Sequence, residues 1–312
     1  MRFLVTGGAG FIGSHIVEEL LRRQYQVRVL DDFSTGTRDN LRSDTSPKDL
    51  EIFEGDIRDS NIVAQALAGV DGVFHEAALV SVPASVEHPD LSFEINAKGT
   101  FRIFEAARQA GVRRVVFASS AAVYGDNPEL PLAETMTPRP LSPYGLDKLY
   151  GELLGALYHS SYGLETVALR YFNVFGPRQD PRSQYSGVIS IFVERLRAGQ
   201  VSTIYGDGEQ TRDFVYVADV VEANLRAMFA GYSGFHVFNV ACGRQTSLNQ
   251  LLSELQRLTG SSQSPVYAAA RAGDIRHSLG DISLIRRELG YAPAYSLAEG
   301  LRLLLNSCRG GL

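Results

Sequence analysis

Apolar, β-prone runs recur at 2–6, 26–31, 51–56, 72–77, 114–119 and 165–171, separated by segments of helical period at 14–24, 59–69, 92–110 and 145–162. That alternation predicts a parallel sheet with crossover helices. The runs at 27–30, 115–118 and 166–171 are almost continuously apolar, as strands covered on both faces must be, so the sheet is expected between two helix layers. The texture changes from about residue 177. Pro177, Pro181 and the stretch 183–187 are irregular, a helix is expected near 187–199, and short elements follow. The run 235–241 reads as one more buried strand that can return to the first sheet. The expected class is α/β: a doubly wound parallel sheet over 1–176, rejoined over about 214–242, with a smaller C-terminal α/β substrate domain occupying most of 177–312. No internal repeat or low-complexity segment interrupts this pattern.

Composition narrows the partners. The apolar and charged fractions, 45% and 21%, are those of an ordinary globule. A net charge of -5 argues against a nucleic-acid-backbone binder, which needs a basic face. Cys242 and Cys308 are too few for a disulfide framework and lack zinc spacing, so a reducing compartment and no metal are expected. The chain opens directly on the strand Arg2-Phe3-Leu4-Val5-Thr6 and contains no transmembrane-length apolar run. The expected setting is cytoplasmic, with no membrane partner.

Gly7-Gly8-Ala9-Gly10-Phe11-Ile12-Gly13 follows the first strand and opens a helix. Without Cβ atoms such a turn tightens and lets the backbone approach a pyrophosphate, while the helix N-terminus offers free N–H donors to the anion. Gly7, Gly10, Phe11, Ile12 and Gly13 are therefore the expected phosphate-side contacts. Asp31 ends the second strand about twenty residues on, where a carboxylate accepts the ribose hydroxyls of NAD and repels the 2′-phosphate of NADP. Asp32 stands ready to share that role. Together these features define a Rossmann-like site for NAD. Asp56 and Ile57 after the third strand are placed at the adenine edge, and Ala77 and Ala78 after the fourth let the backbone pass close to the cofactor. Asp56 can equally cap a helix from Arg58, and His75 reads as a structural histidine.

Tyr144 and Lys148, four residues apart on a helix, share one face. Ser142 and Pro143 before them are an N-cap hydroxyl and a residue favoured at the first helical position. A tyrosine titrates near pH ~10, and a cation beside it commonly lowers a pKa by ~1 to 3 units. The fifth strand carries Ser119 and Ser120 to its carboxyl end, the edge at which open α/β sheets bind ligands. With Gly7, Gly10, Gly13, Asp31, Ser120, Tyr144 and Lys148 in this order, the chain resembles the extended short-chain dehydrogenase/reductase superfamily over essentially its whole length. The stretch 170–179, Gly206-Asp207-Gly208 with Arg212-Asp213-Phe214-Val215, and Arg271-Ala272-Gly273-Asp274 resemble the nucleotide-sugar branch.

That resemblance implies an NAD-dependent sugar-nucleotide 4-epimerase, most like those acting on UDP-glucose or UDP-N-acetylglucosamine. It makes Tyr144 the base at the sugar O4, Lys148 the holder of the nicotinamide ribose and of an acidic Tyr144, and Ser120 the catalytic hydroxyl, with Ser119 beside it. It places Asn173 on the diphosphate sugar, Arg212 and Arg271 on phosphate oxygens, Asp274 on the nucleotide ribose, and adds Ser81 and Val188 to the substrate contacts. The similar 4,6-dehydratases carry Asp-Glu where this chain has Ala121 and Ala122, which disfavours elimination. Ser278, seven residues after Arg271, stands where relatives that exclude N-acetylated sugars have Tyr, so acetamido sugars are expected to fit; against this, Val80 stands where some acetamido-selective relatives have Gly beside the serine matched by Ser81, and either crowds the site or packs on the cofactor. A UDP-glucuronate 4-epimerase, with Arg182 or Arg195 meeting the carboxylate, and a non-catalytic NAD-binding regulator are the alternative readings. By resemblance, helices near 92–110 and 145–162 pair two copies into a homodimer, with Leu149, Leu153, Leu154 and Leu157 as an apolar stripe.

Overall fold

The computed structural model describes residues 1–41, 49–180, 187–270 and 275–308. Six strands follow the expected runs within about two residues: β1 (Arg2–Thr6), β2 (Gln26–Asp31), β3 (Leu50–Glu54), β4 (Gly72–His75), β5 (Arg114–Ser120) and β6 (Glu165–Tyr171). They lie parallel in the order β3-β2-β1-β4-β5-β6. Short strands β7 (Asn173–Phe175), β8 (Thr203–Tyr205), β9 (Thr211–Arg212) and β10 (Phe214–Tyr216) come next, and β11 (Phe235–Val240) then joins the free edge of β6, also parallel. The chain thus returns to its first sheet, as the run 235–241 predicted. Strand order reverses between β2-β1 and β4, which opens a crevice at the carboxyl ends where Gly7, Asp31, Glu76 and Ser120 follow their strands.

Helix α1 (Phe11–Arg22) packs on one face of the sheet together with α8 (Val217–Phe229), where Ile16, Leu20, Val220 and Leu225 share a core with Val5, Val29 and Val116. The other face is covered by α2 (Ser60–Leu67), α5 (Thr100–Gln109) and α6 (Pro143–Tyr162), which bury Val63, Phe104 and Leu154 against Leu4, Val73 and Phe117. Both faces are covered, so the interior strands read apolar throughout, while β3 at the edge keeps exposed positions. A third cluster gathers Phe192 of α7 (Val188–Arg197), Leu251 and Leu255 of α9 (Leu248–Thr259) and Leu304 of the last helix (Leu297–Ser307) around Phe175 and Tyr216.

The expected single helix over 92–110 is instead a π-helical segment Phe93–Gly99 running into α5, preceded by the short helices α3 (Val82–Glu87) and α4 (Pro89–Ser92). The winding coincides with side-chain bonds that reach outside the helix. Asn96 turns its side chain out to bond both the N–H and the carbonyl of Leu79, and the Thr100 hydroxyl donates to the Asn96 carbonyl at 2.5 Å. Side chains compete there with the regular backbone ladder. Asp147 of α6 accepts from Ser92 at 2.6 Å and ties this segment to the site helix.

Helix α6 follows its sequence signals: Ser142 is the N-cap, accepting from the Gly145 N–H at 3.1 Å, and Pro143 is the first residue. Its inner face is glycine and charge. A Cβ at Gly145 would come within 2.8 Å of the Ala122 carbonyl oxygen, and one at Gly151 would run into the Phe117 ring. Next to Gly151, Glu152 forms a two-bond pair with Arg170 of β6, both side chains almost fully buried, with the Tyr124 ring stacked on the guanidinium at 4.7 Å. Glu152→Ala strands the Arg170 charge, and urea denaturation is expected to show a loss of about 3–5 kcal/mol, whereas replacing both residues by Met restores much of it.

Candidate active site

The glycine loop is shaped by close approach. Gly7 lies in the left-handed region at φ 64°, and a Cβ there would sit 2.8 Å from the backbone of Ala77; one on Gly13 would run into the Gly7 carbonyl. Helix α1 begins at Phe11 with Gly10 as N-cap and no side-chain cap, so its first N–H groups face the crevice without a side-chain acceptor. This is a cradle for phosphate oxygens. Asp31 ends β2 with its carboxylate accepting the Ala9 N–H at 2.8 Å and the Phe33 N–H at 2.8 Å, which fixes it beside the loop. Burial raises its pKa, the two hydrogen bonds opposing. Asp32 is exposed and bonded to Ser34. Asp56 pairs with Arg58 and accepts its N–H, while α2 starts later with Asp59 as cap; Ile57 is buried, and Ala77 and Ala78 are half-buried. Loop, bare helix end and fixed carboxylate fit NAD.

At the carboxyl end of β5, Ser120 caps a 3-10 turn, Ala121–Tyr124, accepting the Ala122 N–H at 3.1 Å, with its hydroxyl turned to the Tyr144 phenol. The Tyr144 N–H is itself held by the Ser85 hydroxyl at 3.1 Å, a contact without a sequence signal. Lys148, one turn on and buried, donates from Nζ to the Ala118 carbonyl at 2.7 Å and lies 5.7 Å from the Tyr144 ring centre. Ser120, Tyr144 and Lys148 are thus brought together.

The electrostatics correct the simple expectation for the phenol. Burial pushes Tyr144 up to about 12 against the Ser120 hydrogen bond, with a contribution from the Glu76 carboxyl in the same direction. Lys148 is engaged by Ala118 rather than by the phenol oxygen, and burial pushes it down to about 8 while Glu76 and Asp147 oppose. Without ligands the pair therefore rests as phenol and partly discharged amine. His75 is structural, locked between Thr6 at 2.7 Å and Thr100 at 3.0 Å, its pKa pushed down to about 3 by burial.

Ser119 is a second correction. Alternation along β5 turns it to the opposite face from Ser120, where its hydroxyl donates to Glu152 inside the core, away from the crevice. Ser81 is buried and caps α3 through the Ala84 N–H. Asn173 is exposed on β7, its N–H bonded to the Asp213 carbonyl, and Val188 opens α7 half-buried. Arg212 on β9 and Ser278 lie side by side, since the Ser278 N–H donates to the Thr211 carbonyl. Asp213 next to them accepts four backbone N–H groups and is a structural knot. Arg271, Asp274 and Arg182 lie outside the described residues. Arg276 pairs with Asp207, and Arg195 donates to the Val201 carbonyl. No group of metal ligands occurs among the described residues.

A doubly wound sheet carrying a glycine cradle, a ribose-side carboxylate and a Ser-Tyr-Lys set defines a Rossmann-type NAD-dependent enzyme of the short-chain dehydrogenase/reductase kind. Residues 3–241 match the model of the NAD dependent epimerase/dehydratase family, and the chain belongs to that family. It is 42% identical to a UDP-glucose 4-epimerase of Mycolicibacterium smegmatis, with 96% of each chain covered. Among solved structures it is similar to a Thermus thermophilus UDP-glucose 4-epimerase in complex with NAD (42% identity, TM-score 0.89, all of both chains). It is also similar to a Methanobrevibacter ruminantium UDP-N-acetylglucosamine 4-epimerase in complex with UDP-N-acetylmuramic acid (39% identity, TM-score 0.95, 100% of this chain and 99% of that one). The protein is an NAD-dependent isomerase. Gly13→Ala is expected to purify with well under one NAD per chain and a retained fold, measured as nucleotide released on denaturation beside a circular dichroism spectrum.

Proposed function

We propose that this chain interconverts UDP-glucose with UDP-galactose, and UDP-N-acetylglucosamine with UDP-N-acetylgalactosamine, by 4-epimerisation through a transient 4-keto sugar. The observation that carries the reading is the convergence at the crevice of Ser120 at the end of β5, the Tyr144 phenol it interacts with, and Lys148 one turn on. Relatives named for both kinds of UDP-sugar support it. NAD, when bound, supplies the reversible acceptor for the C4 hydride and adds a positive ring charge to the site. Tyr144 takes the O4 proton; Ser120, whose oxygen already accepts from Ala122, donates its own proton toward the phenolate and organises the transfer. The Lys148 ammonium favours the phenolate and holds the nicotinamide ribose. Deprotonation of Tyr144 against its burial requires these cations together.

Gly7, Gly10, Phe11, Ile12 and Gly13 would hold the pyrophosphate and Asp31 the adenosine ribose, while Asn173, Val188, Arg212 and Ser278 take the sugar nucleotide. Residues around the third apolar cluster form the substrate side. Ala121 and Ala122 carry no carboxyl with which to eliminate water at C5 and C6. The small Ser278 leaves room for an acetamido group.

We also propose a cytoplasmic homodimer. No helix of the described residues is long and apolar enough to cross a membrane, and both cysteines are free. The expected stripe on α6 divides: Leu154 is buried and Leu149 packs on the core, whereas Leu146, Leu153 and Leu157 are exposed, as are Phe93 and Phe101 of the neighbouring segments. Those outward residues support a helical dimer face. Leu153→Asp with Leu157→Asp is expected to shift the sedimentation coefficient from dimer to monomer.

Purified protein without added NAD, given UDP-galactose and UDP-N-acetylgalactosamine separately, should convert both, with the 4-epimers separated by chromatography. Conversion of neither, with NAD added, overturns the reading. Tyr144→Phe should lower kcat about 10²- to 10⁴-fold with the fold unchanged. Ser278→Tyr should abolish conversion of the acetamido sugar and spare the hexose.

A further inference from the structure

One half-buried acid at the crevice has no part in the chemistry above. Glu76 follows His75 at the end of β4, its N–H bonded to the Thr6 carbonyl at 3.2 Å, so its backbone lies against the glycine loop. The two side chains leave in opposite directions. His75 reaches Thr100 at the start of α5, while Glu76 reaches the other helix layer, accepting from the Tyr171 hydroxyl of β6 at 2.9 Å. Tyr171 in turn accepts from Asn224 of α8 at 2.7 Å. With its proton committed to Glu76 and its oxygen to Asn224, Tyr171 is a fixed strut rather than a free hydroxyl. Strand β4 pairs with β5 at His75–Phe117, so Glu76, the next residue, stands beside Ala118, whose carbonyl holds the Lys148 Nζ at 2.7 Å; the Lys148 and Tyr144 charges interact with its carboxyl from there.

We propose that Glu76 is a positioning residue for the proton chemistry at Tyr144: braced by Tyr171 and Asn224, its carboxyl sets the charge next to Lys148 and Tyr144, and so the pH range over which both hold the charges catalysis needs. This rests on the proposed 4-epimerisation. The physical argument is a competition. Burial raises the Glu76 carboxyl to about 7, against the Tyr171 hydrogen bond and the Lys148 charge, so its charge changes across neutrality. When ionised it favours the Lys148 ammonium and disfavours the Tyr144 phenolate. Asp147 adds to the first effect and not to the second. His75, held neutral, adds to neither.

The signs follow. Glu76→Gln keeps an acceptor for Tyr171 and removes the charge, so both Lys148 and Tyr144 lose protons at lower pH than in the parent. The chain has three lysines, Lys48, Lys98 and Lys148, which makes the test direct. With ¹³C-labelled lysine and glutamate, NMR of the cofactor-stripped protein should show one lysine signal, absent in Lys148→Met, titrating below the other two. It should move down by about one pH unit or more in Glu76→Gln. One glutamate carboxyl titrating near neutrality should vanish in the same variant. The pH profile of kcat should move to lower pH by a similar amount, with KM for UDP-galactose nearly unchanged. Tyr171→Phe, which removes the hydrogen bond and keeps the acid, should raise the glutamate titration. A Lys148 titration that ignores Glu76→Gln, or no glutamate titrating above the ordinary range, overturns the proposal. If the parent epimerises nothing, the proposed function fails on its own, while the NMR titrations still decide whether Glu76 governs the charge of Lys148.

Discussion

The site depends on how closely helix α6 can lie on strands β5 and β6. Tyr144 and Lys148 are carried by that helix, and Ser120 ends the strand beneath it, so every distance among them is set by this one seating. Glycines remove the obstacle: at 145, 151 and 155 a single carbon would meet the Ala122 carbonyl, the Phe117 ring or Thr166. The Glu152–Arg170 pair then fixes position along the sheet. An apolar pair of equal volume would press the helix down as well, but two parallel hydrogen bonds between planar groups also define where along its axis it stops. Ser119 and the Tyr124 ring complete this buried unit. The core charge is thus connected by one helical turn to the functional face.

The same burial that orders the helix works against its chemistry. A phenol and an amine close together in water would each titrate near their ordinary values; here loss of solvent holds the phenol protonated and makes the amine easier to discharge. The resting site favours the protonated phenol, while the amine keeps most of its charge at neutral pH. Its reactivity is therefore conditional: positive charge arriving with the cofactor changes the balance, and an empty site does not hold a reactive phenolate. This is a physical reason for such a site to keep its cofactor between turnovers.

Much of this was legible in sequence, because the fold is built from local signals that agree with one another. Continuous apolar runs mark β1 to β6 because both sheet faces are covered, Ser142 and Pro143 mark the start of α6, and Gly7 to Gly13 mark a turn that excludes side chains. What escaped was tertiary. The π-helical winding at 93–99 coincides with Asn96 bonding Leu79, a partner no helical period reveals. Ser119 and Ser120 are adjacent and chemically identical, and only the face of β5 that each occupies separates a core hydroxyl from a site hydroxyl. Leu153 and Leu154 divide in the same way, one outward and one inward, where a stripe of leucines read as one surface. Glu76 was invisible because a glutamate after a strand normally reads as solvated; its weight comes from Tyr171 and Asn224, distant in sequence.

Fold alone does not select among the reactions this architecture supports, so the selection must lie in what the crevice lacks as well as what it holds. Removal of hydride from C4 makes the neighbouring C5 proton acidic, and a carboxyl placed next to Ser120 would turn that intermediate toward loss of water. The turn Ala121–Tyr124 offers methyl groups there, and the close contact of its Ala122 carbonyl with Gly145 keeps it pressed against α6. In the proposed chemistry, the keto sugar is then left with one efficient exit, return of the hydride, and only its choice of face decides between substrate and epimer. In that same proposed chemistry, acid–base groups limited to Ser120 and Tyr144 would confine proton transfer to O4. The outcome is epimerisation because no further step is catalysed.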